Sequence, residues 1–224
     1  MPRRMLVAMQ MEEFMTRRYE LRFNRMKGCK EYRERHSLFT DYRPVTAEAV
    51  KSICFEAQLE GISAIEYDVQ RYVDSRRVSH YWPIEEFLFD LPHWDGQDRI
   101  RALADCVPCE NKEWRDFFYI WFLSMVAHWL QMDREHANST SPLLVGPQGC
   151  RKSSFCQSLL PPELRPYYVD GIDLGSRKDA EMALNRFALI NLDEFDSIPA
   201  SRQPYLKNLL QKAKVTSVSY THLR

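Results

Sequence analysis

The chain reads as an α/β protein, with a helical N-terminal region followed by a parallel sheet flanked by helices. Three observations predict this. An apolar run, Leu143-Leu144-Val145, leads into Gly146-Pro147-Gln148-Gly149 and then Lys152-Ser153-Ser154. A second apolar run, Phe187 to Leu192, ends in Asp193-Glu194. Between and after these runs, helical and strand patterns alternate, the order from which parallel sheets are built.

The first run has the layout of a phosphate-binding loop: a buried strand, a tight Gly-rich turn, then a helix start. Backbone N–H groups of such a turn point at phosphate oxygens, and the new helix adds its partly positive end. The expected nucleotide-binding set is Gly146, Pro147, Gln148, Gly149, Cys150, Arg151, Lys152, Ser153 and Ser154. Lys152 would reach the β- and γ-phosphates of ATP, and the Ser153 hydroxyl would ligate Mg²⁺. The usual spacing is G-x-x-x-x-G-K-[ST], and Arg151 stands where the second Gly belongs. An arginine there disfavours the left-handed backbone that Gly adopts without strain.

The second run looks like a buried parallel strand with an acidic tip. Asp193 is placed to hold Mg²⁺, and Glu194 to orient or deprotonate the attacking water. With Lys152 this makes Lys152 and Glu194 the expected catalytic pair of an ATPase. The fold class is therefore α/β, a helical N-terminal region followed by a P-loop NTPase parallel sheet with flanking helices, a sheet that the family resemblance given below implies is C-terminally truncated. A nucleotide-binding regulatory module or inactive fragment without productive turnover is the alternative.

Composition bounds the rest. Hydrophobic residues are 45% and charged residues 28% of 224, which is ordinary for a globular chain. Net charge is zero, so no global attraction to nucleic acid can be inferred. Residues 1–40 nevertheless hold ten Lys/Arg against five Glu. Interleaved with Tyr19, Phe23 and Tyr32, they fit two readings: an arm that tracks a nucleic-acid backbone, or a solvated strand face.

Six cysteines do not make a disulfide framework in a chain able to build its own core, and reduced, buried thiols are expected. Cys106-Val107-Pro108-Cys109 is a single C-x-x-C without a second half at zinc spacing. Neither a signal peptide nor a membrane span is expected, and the location is cytoplasmic. The longest apolar segment, Phe117 to Leu130, reads as a buried helix.

In chain order, residues 5–16 begin a helix, and Tyr19 to Tyr32 alternate around Lys27-Gly28 as a hairpin. This basic arm spans residues 1–45. A helical domain over 46–138 comes next. Thr46 caps a helix that ends at Gly61, and Ser63 to Glu66 form a capping box before the next. Pro83 opens a helix stopped by Pro92. His93-Trp94-Asp95-Gly96 turns the chain, and short and long helices continue up to Met132. Residues 133–141 are polar and form the boundary to a P-loop core over 139–224. There Tyr167–Val169 is a strand, Lys178–Asn185 a helix, and Ser201 caps the last helix.

Together Tyr19-Glu20-Leu21-Arg22-Phe23-Asn24, Trp94-Asp95-Gly96 with Asp98-Arg99-Ile100, the Gly146 to Phe155 loop and Leu192-Asp193-Glu194 resemble the virulence-associated protein E family. These are P-loop proteins of phages, pathogenicity islands and bacterial mobile elements. The resemblance runs from about Tyr19 to Lys214 and extends to superfamily 3 helicases. It implies ATP hydrolysis in a homo-oligomeric ring, coupled to single-stranded or origin DNA in replication. It also implies that Lys152 and Ser153 are the Walker A pair, and Asp193 and Glu194 the Walker B pair. The tail Val215–Arg224 is expected to depart from the family, leaving the sheet short of strands and of an arginine finger.

Overall fold

The structure, a computed structural model, describes residues 2–38, 40–132, 140–193, 195 and 198–210. They fall into two units, Met1–Pro83 and Ile84–Arg224. The architecture is mixed α/β.

In the first unit, α1 (Arg3–Arg18) runs directly into β1 (Tyr19–Asn24), which turns back as β2 (Cys29–Glu34). The strands pair antiparallel from Tyr19↔Glu34 to Asn24↔Cys29. Gly28 in the connection has φ +66°, a conformation open to glycine without a Cβ penalty. β3 (Arg43–Pro44) adds antiparallel to β2, and β4 (Ser79–Tyr81) adds parallel to β1, giving the order β3-β2-β1-β4.

Two helices complete this unit. α2 (Ala47–Leu59) is capped by Thr46, whose hydroxyl accepts from the Ala49 N–H at 3.1 Å. α3 (Glu66–Val73) starts later than the expected capping box: Asp68 accepts the Ile65 N–H at 3.0 Å, so Ile65 occupies the cap position. Ser63 is displaced from that role by core packing, since Ile62 and Ala64 on either side of it are buried with Ala57. The core joins Phe14 and Met15 of α1, Ile53 and Ala57 of α2, and Val69 and Val73 of α3. Tyr19, Leu21 and Tyr32 pack against it from the sheet.

Strand alternation sends Glu20, Arg22 and Asn24 to the opposite side from Tyr19, Leu21 and Phe23. There Glu31, fully buried, accepts from Arg22 at 2.9 Å, Lys27 at 2.9 Å and Asn24 at 3.3 Å. The Arg22 guanidinium lies 3.6 Å from the ring centre of Tyr42 and 3.7 Å from that of Tyr81. Most of the basic excess of residues 1–40 is spent in this way. Arg17, Arg18, Arg22, Lys27, Lys30, Arg33 and Arg35 all form ion pairs with Glu or Asp.

The second unit contains α4 (Pro83–Phe89), which begins at the division, then α5 (Arg99–Ala104), α6 (Trp114–Trp129) and α7 (Lys152–Ser158). β5 (Tyr168–Asp170), α8 (Arg177–Arg186), β6 (Leu189–Asn191) and α9 (Gln203–Leu210) come after them. β5 and β6 pair in parallel, Tyr168↔Leu189 to Asp170↔Asn191. The core lies between α5, α6 and α7, where Phe118, Trp121, Met125 and Leu159 are buried with Ala104.

Four expectations change here. The described sheet of this unit has two parallel strands, and Leu143–Val145 is an extended run outside it. Leu143 and Val145 are 66% and 88% exposed and Leu144 is half-buried, so the run is neither a buried strand nor a paired one in the described sheet. α6 is not buried all round: Phe118, Trp121 and Met125 face in, whereas Phe117, Ile120 and Leu123 are exposed. Ser201 lies inside a 3-10 turn, Ala200–Arg202, rather than capping α9. Of the cysteines only Cys54 is buried, while Cys106, Cys109 and Cys150 are exposed.

Glu31 makes the first unit sensitive to acid. Burial pushes its carboxyl up, but hydrogen bonds from Lys27, Arg22 and Asn24 outweigh this and hold it below the ordinary value. A lowered folded value contributes stability above the unfolded pKa, and that stability is lost as pH falls through the folded one. We expect Glu31→Ala to cost about 3 kcal/mol in urea denaturation at neutral pH, because Arg22 and Asn24 lose their partner. The difference from wild type should shrink as pH falls below about 4.

Candidate functional site

Gly146 to Arg151 form the loop that precedes α7. Gln148 and Gly149 occupy its turn, and Gly149 has φ +82°. A Cβ placed on Gly146 would meet the Cys150 sulfur at 3.2 Å, so the loop closes tightly on itself there. Arg151 adopts the left-handed conformation, φ +63° and ψ +29°, which the spacing assigns to glycine. A Cβ in that region crowds the following carbonyl, which costs roughly 1–2 kcal/mol.

Lys152 opens α7, and Ser153 and Ser154 complete its first turn. The Lys152 ammonium donates to the carbonyls of Gly146 at 2.8 Å and Pro147 at 3.0 Å, with the Cys150 sulfur at 3.6 Å. The loop is thus wrapped around its own lysine. The Ser153 hydroxyl donates to Asp193 Oδ2 at 3.0 Å, across 40 residues. Asp193 stands two residues beyond the end of β6. Glu194 lies outside the described residues.

Two contacts from α6 hold this arrangement. Phe155 of α7 meets Phe118 with ring centres 6.1 Å apart. The Trp129 indole N–H donates to the Ala188 carbonyl at 2.8 Å, just before β6. Neither contact was anticipated from sequence, because aromatic residues along an apolar helix carry no sign of their partners.

A second polar group at the strand tips was also missed. Asp170, at the end of β5, accepts from the Tyr168 hydroxyl at 2.6 Å and from the Asn191 amide at 2.9 Å. Asp170 and Asn191 are register partners, so the two strand ends are tied by side chains as well as backbone. Burial pushes the Tyr168 hydroxyl up, and its bond to Asp170 adds to the shift. Burial also raises the Cys156 thiol, with Asp170 and Asp193 contributing negative charge nearby. The alternation Tyr168-x-Asp170 was the available signal.

The two oxygens at Ser153 and Asp193 suit a hard cation such as Mg²⁺, which is commonly held by one or two protein oxygens together with phosphates and water. Among the described residues no group of three or more His, Cys, Asp or Glu is placed to cage a metal alone. Also among the described residues, no helix is long and apolar enough to cross a membrane.

The family model of the virulence-associated protein E-like domain matches residues 88–222, more than half of the chain. The chain belongs to this family. Membership associates it with phages and mobile elements. The virulence-associated protein E-like match lies within the second unit, residues 84–224, and begins well after Tyr19. It runs past Lys214 to residue 222, so most of the tail expected to depart from the family belongs to the matched stretch. Nothing among curated proteins or solved structures matches the chain.

Because Arg151 carries left-handed strain, Arg151→Gly should stabilise the second unit by about 1 kcal/mol, part of the relief being offset by glycine's greater unfolded freedom. Urea denaturation compares the two proteins. A loss of stability would mean that the Arg151 side chain makes a contact worth more than the strain.

Proposed function

We propose that this chain is an ATP-binding P-loop NTPase, helicase-like, serving phage or mobile-element DNA replication. The observation that carries the reading is the pairing of Lys152, wrapped in its loop, with Ser153 bonded to Asp193. Lys152 is held by neutral carbonyls. The charged oxygens of a triphosphate are stronger acceptors for an ammonium and would replace them. Gly149 and Arg151, both left-handed, shape the turn around that position. The set for ATP is Gly146 to Ser154, with Ser153 and Asp193 toward Mg²⁺. Mg²⁺ would supply positive charge against the phosphates as charge moves between oxygens.

On this reading Glu194, one residue beyond Asp193, handles the attacking water. The partners are DNA, single-stranded or at an origin, and further copies of the chain in a ring. Binding without turnover is the second reading, favoured by one observation: Arg151 strains the loop position that glycine otherwise occupies. Single-turnover ATP hydrolysis, measured with and without single-stranded DNA, separates the two.

Lys152→Ala should abolish Mg·ATP binding and leave the thermal midpoint within a few degrees of wild type, since Lys152 bonds only loop atoms at the surface. Asp193→Ala should weaken binding in Mg²⁺ about tenfold or more and have little effect in EDTA. Fluorescent-nucleotide titration beside thermal melting checks both. An unchanged Kd for Lys152→Ala sinks the assignment.

A further inference from the structure

The Tyr168–Asp170–Asn191 group stands beside the nucleotide site without a part in it. β5 and β6 are parallel and end side by side, with Asp170 opposite Asn191. Ligands of open parallel sheets settle outside the carboxyl ends of the strands. Asp193 lies just past that end of β6, and its bond to Ser153 brings the first turn of α7 to the same edge. Asp170, the last residue of β5, therefore shares an edge with the two oxygens placed toward Mg²⁺. Cys156, about one turn along α7 from Ser153, agrees with this placement. Burial raises its thiol, and negative charge from both Asp170 and Asp193 raises it further.

The Asp170 carboxylate is oriented but not paired with a cation. One oxygen, Oδ1, accepts from the Tyr168 hydroxyl at 2.6 Å and from the Asn191 amide at 2.9 Å. Among the described residues Oδ2 takes no bond, and no Lys or Arg pairs with this exposed side chain. A neutral amide would tie the two strand ends equally well, because both bonds go to a single oxygen. The negative charge is surplus to the tie. A carboxylate fixed by neighbours and open at one oxygen suits the hydration shell of a hard cation. Mg²⁺ dehydrates reluctantly and keeps several waters, which donate to acceptors fixed around the ion.

We propose that Asp170, held by Tyr168 and Asn191, is a positioning residue of the nucleotide site whose Oδ2 accepts from a water of the Mg²⁺ that accompanies ATP. This rests on the reading of Lys152, Ser153 and Asp193 as the Mg·ATP site. It adds to that site a residue that lies in neither the phosphate loop nor the acidic end of β6. Tyr168 and Asn191 keep the carboxylate from turning, so the open oxygen stays aimed without a cation beside it.

Asp170→Asn is the test, since the amide oxygen still accepts from Tyr168 and Asn191 while the charge is gone. Fluorescent-nucleotide titration across a Mg²⁺ series gives the Mg²⁺ concentration at which ATP affinity is half-maximal. Asp170→Asn should raise that concentration roughly tenfold. It should leave nucleotide binding in EDTA and the thermal midpoint of the unliganded chain as in wild type. Tyr168→Phe, which frees the carboxylate to turn, should shift the Mg²⁺ requirement the same way by less, and it carries the test if Asp170→Asn melts early. A variant with the wild-type Mg²⁺ requirement, or one weakened equally in EDTA, overturns the proposal. Lys152→Ala in the same series separates the two levels. Binding lost there beside an unaltered Asp170→Asn protein removes only the part given to Asp170, whereas unchanged binding removes the site on which it rests.

Discussion

The 3.0 Å hydrogen bond from Ser153 to Asp193 is backed by one helix, α6, which packs on α7 and on the approach to β6. Phe155, on the same short helix as Ser153, packs on Phe118 near the start of α6. Ala188, which leads into β6 and so to Asp193, is held by Trp129 at the other end of α6. From Phe118 to Trp129 is about 16 Å along the axis. That length of regular helix spans the distance between its contact with α7 and its contact just before β6. Leu189 of β6 and Leu159 at the end of α7 close on the same aromatic cluster. The polar contact at the site is thus the outcome of apolar packing behind it.

The first unit solves a different problem. Its hairpin carries charge on the face turned away from the helices, and one carboxylate there, Glu31, is fully buried. Burial of an isolated carboxylate is prohibitive, so the structure surrounds it with two cations and an amide. Arg22 is the hinge of this arrangement, since it bonds Glu31 and also lies between two tyrosine rings. Arginine suits the position because a planar guanidinium stacks and bonds at once, which a lysine does not do. The local excess of positive charge therefore serves cohesion of the first unit, within the sheet through Arg22, Lys27, Arg33 and Arg35 and from α1 and the sheet to the helices through Arg17, Arg18 and Lys30.

Periodicity encodes which face of an element is buried, and that is the part of the structure legible in the sequence. Alternation about Lys27-Gly28 disclosed the hairpin, and the apolar spacing after Thr46 disclosed α2, on that basis. Partner identity is not in the period. Arg22 and Glu31 are cross-strand neighbours, and nothing in an alternating polar strand says which pair is buried and which is wet. The cap of α3 moved from Ser63 to Ile65 for a related reason: core packing of Ile62 and Ala64 outranked a local hydroxyl preference. At the candidate site, residue types and spacing pointed to Lys152, Ser153 and Asp193. The wrapping of Lys152 by its own loop carbonyls, and the Tyr168–Asp170–Asn191 group, required three dimensions.

Leu143–Val145 breaks the link between an apolar run and burial, with a direct consequence for the site. Three consecutive apolar residues suit a buried strand, yet Leu143 and Val145 are largely exposed and the run lies outside the described sheet. Exposure of such side chains forgoes about 1.5–3 kcal/mol each relative to full burial. The Gly146–Arg151 loop after it is therefore not the continuation of a strand in the described sheet. Its anchors are on the other side: the first turn of α7, the Ser153–Asp193 bond, and Lys152 reaching back to Gly146 and Pro147. Closure of the loop therefore rests on the side chain of Lys152, whose ammonium ties the first two residues of the loop to the first turn of α7.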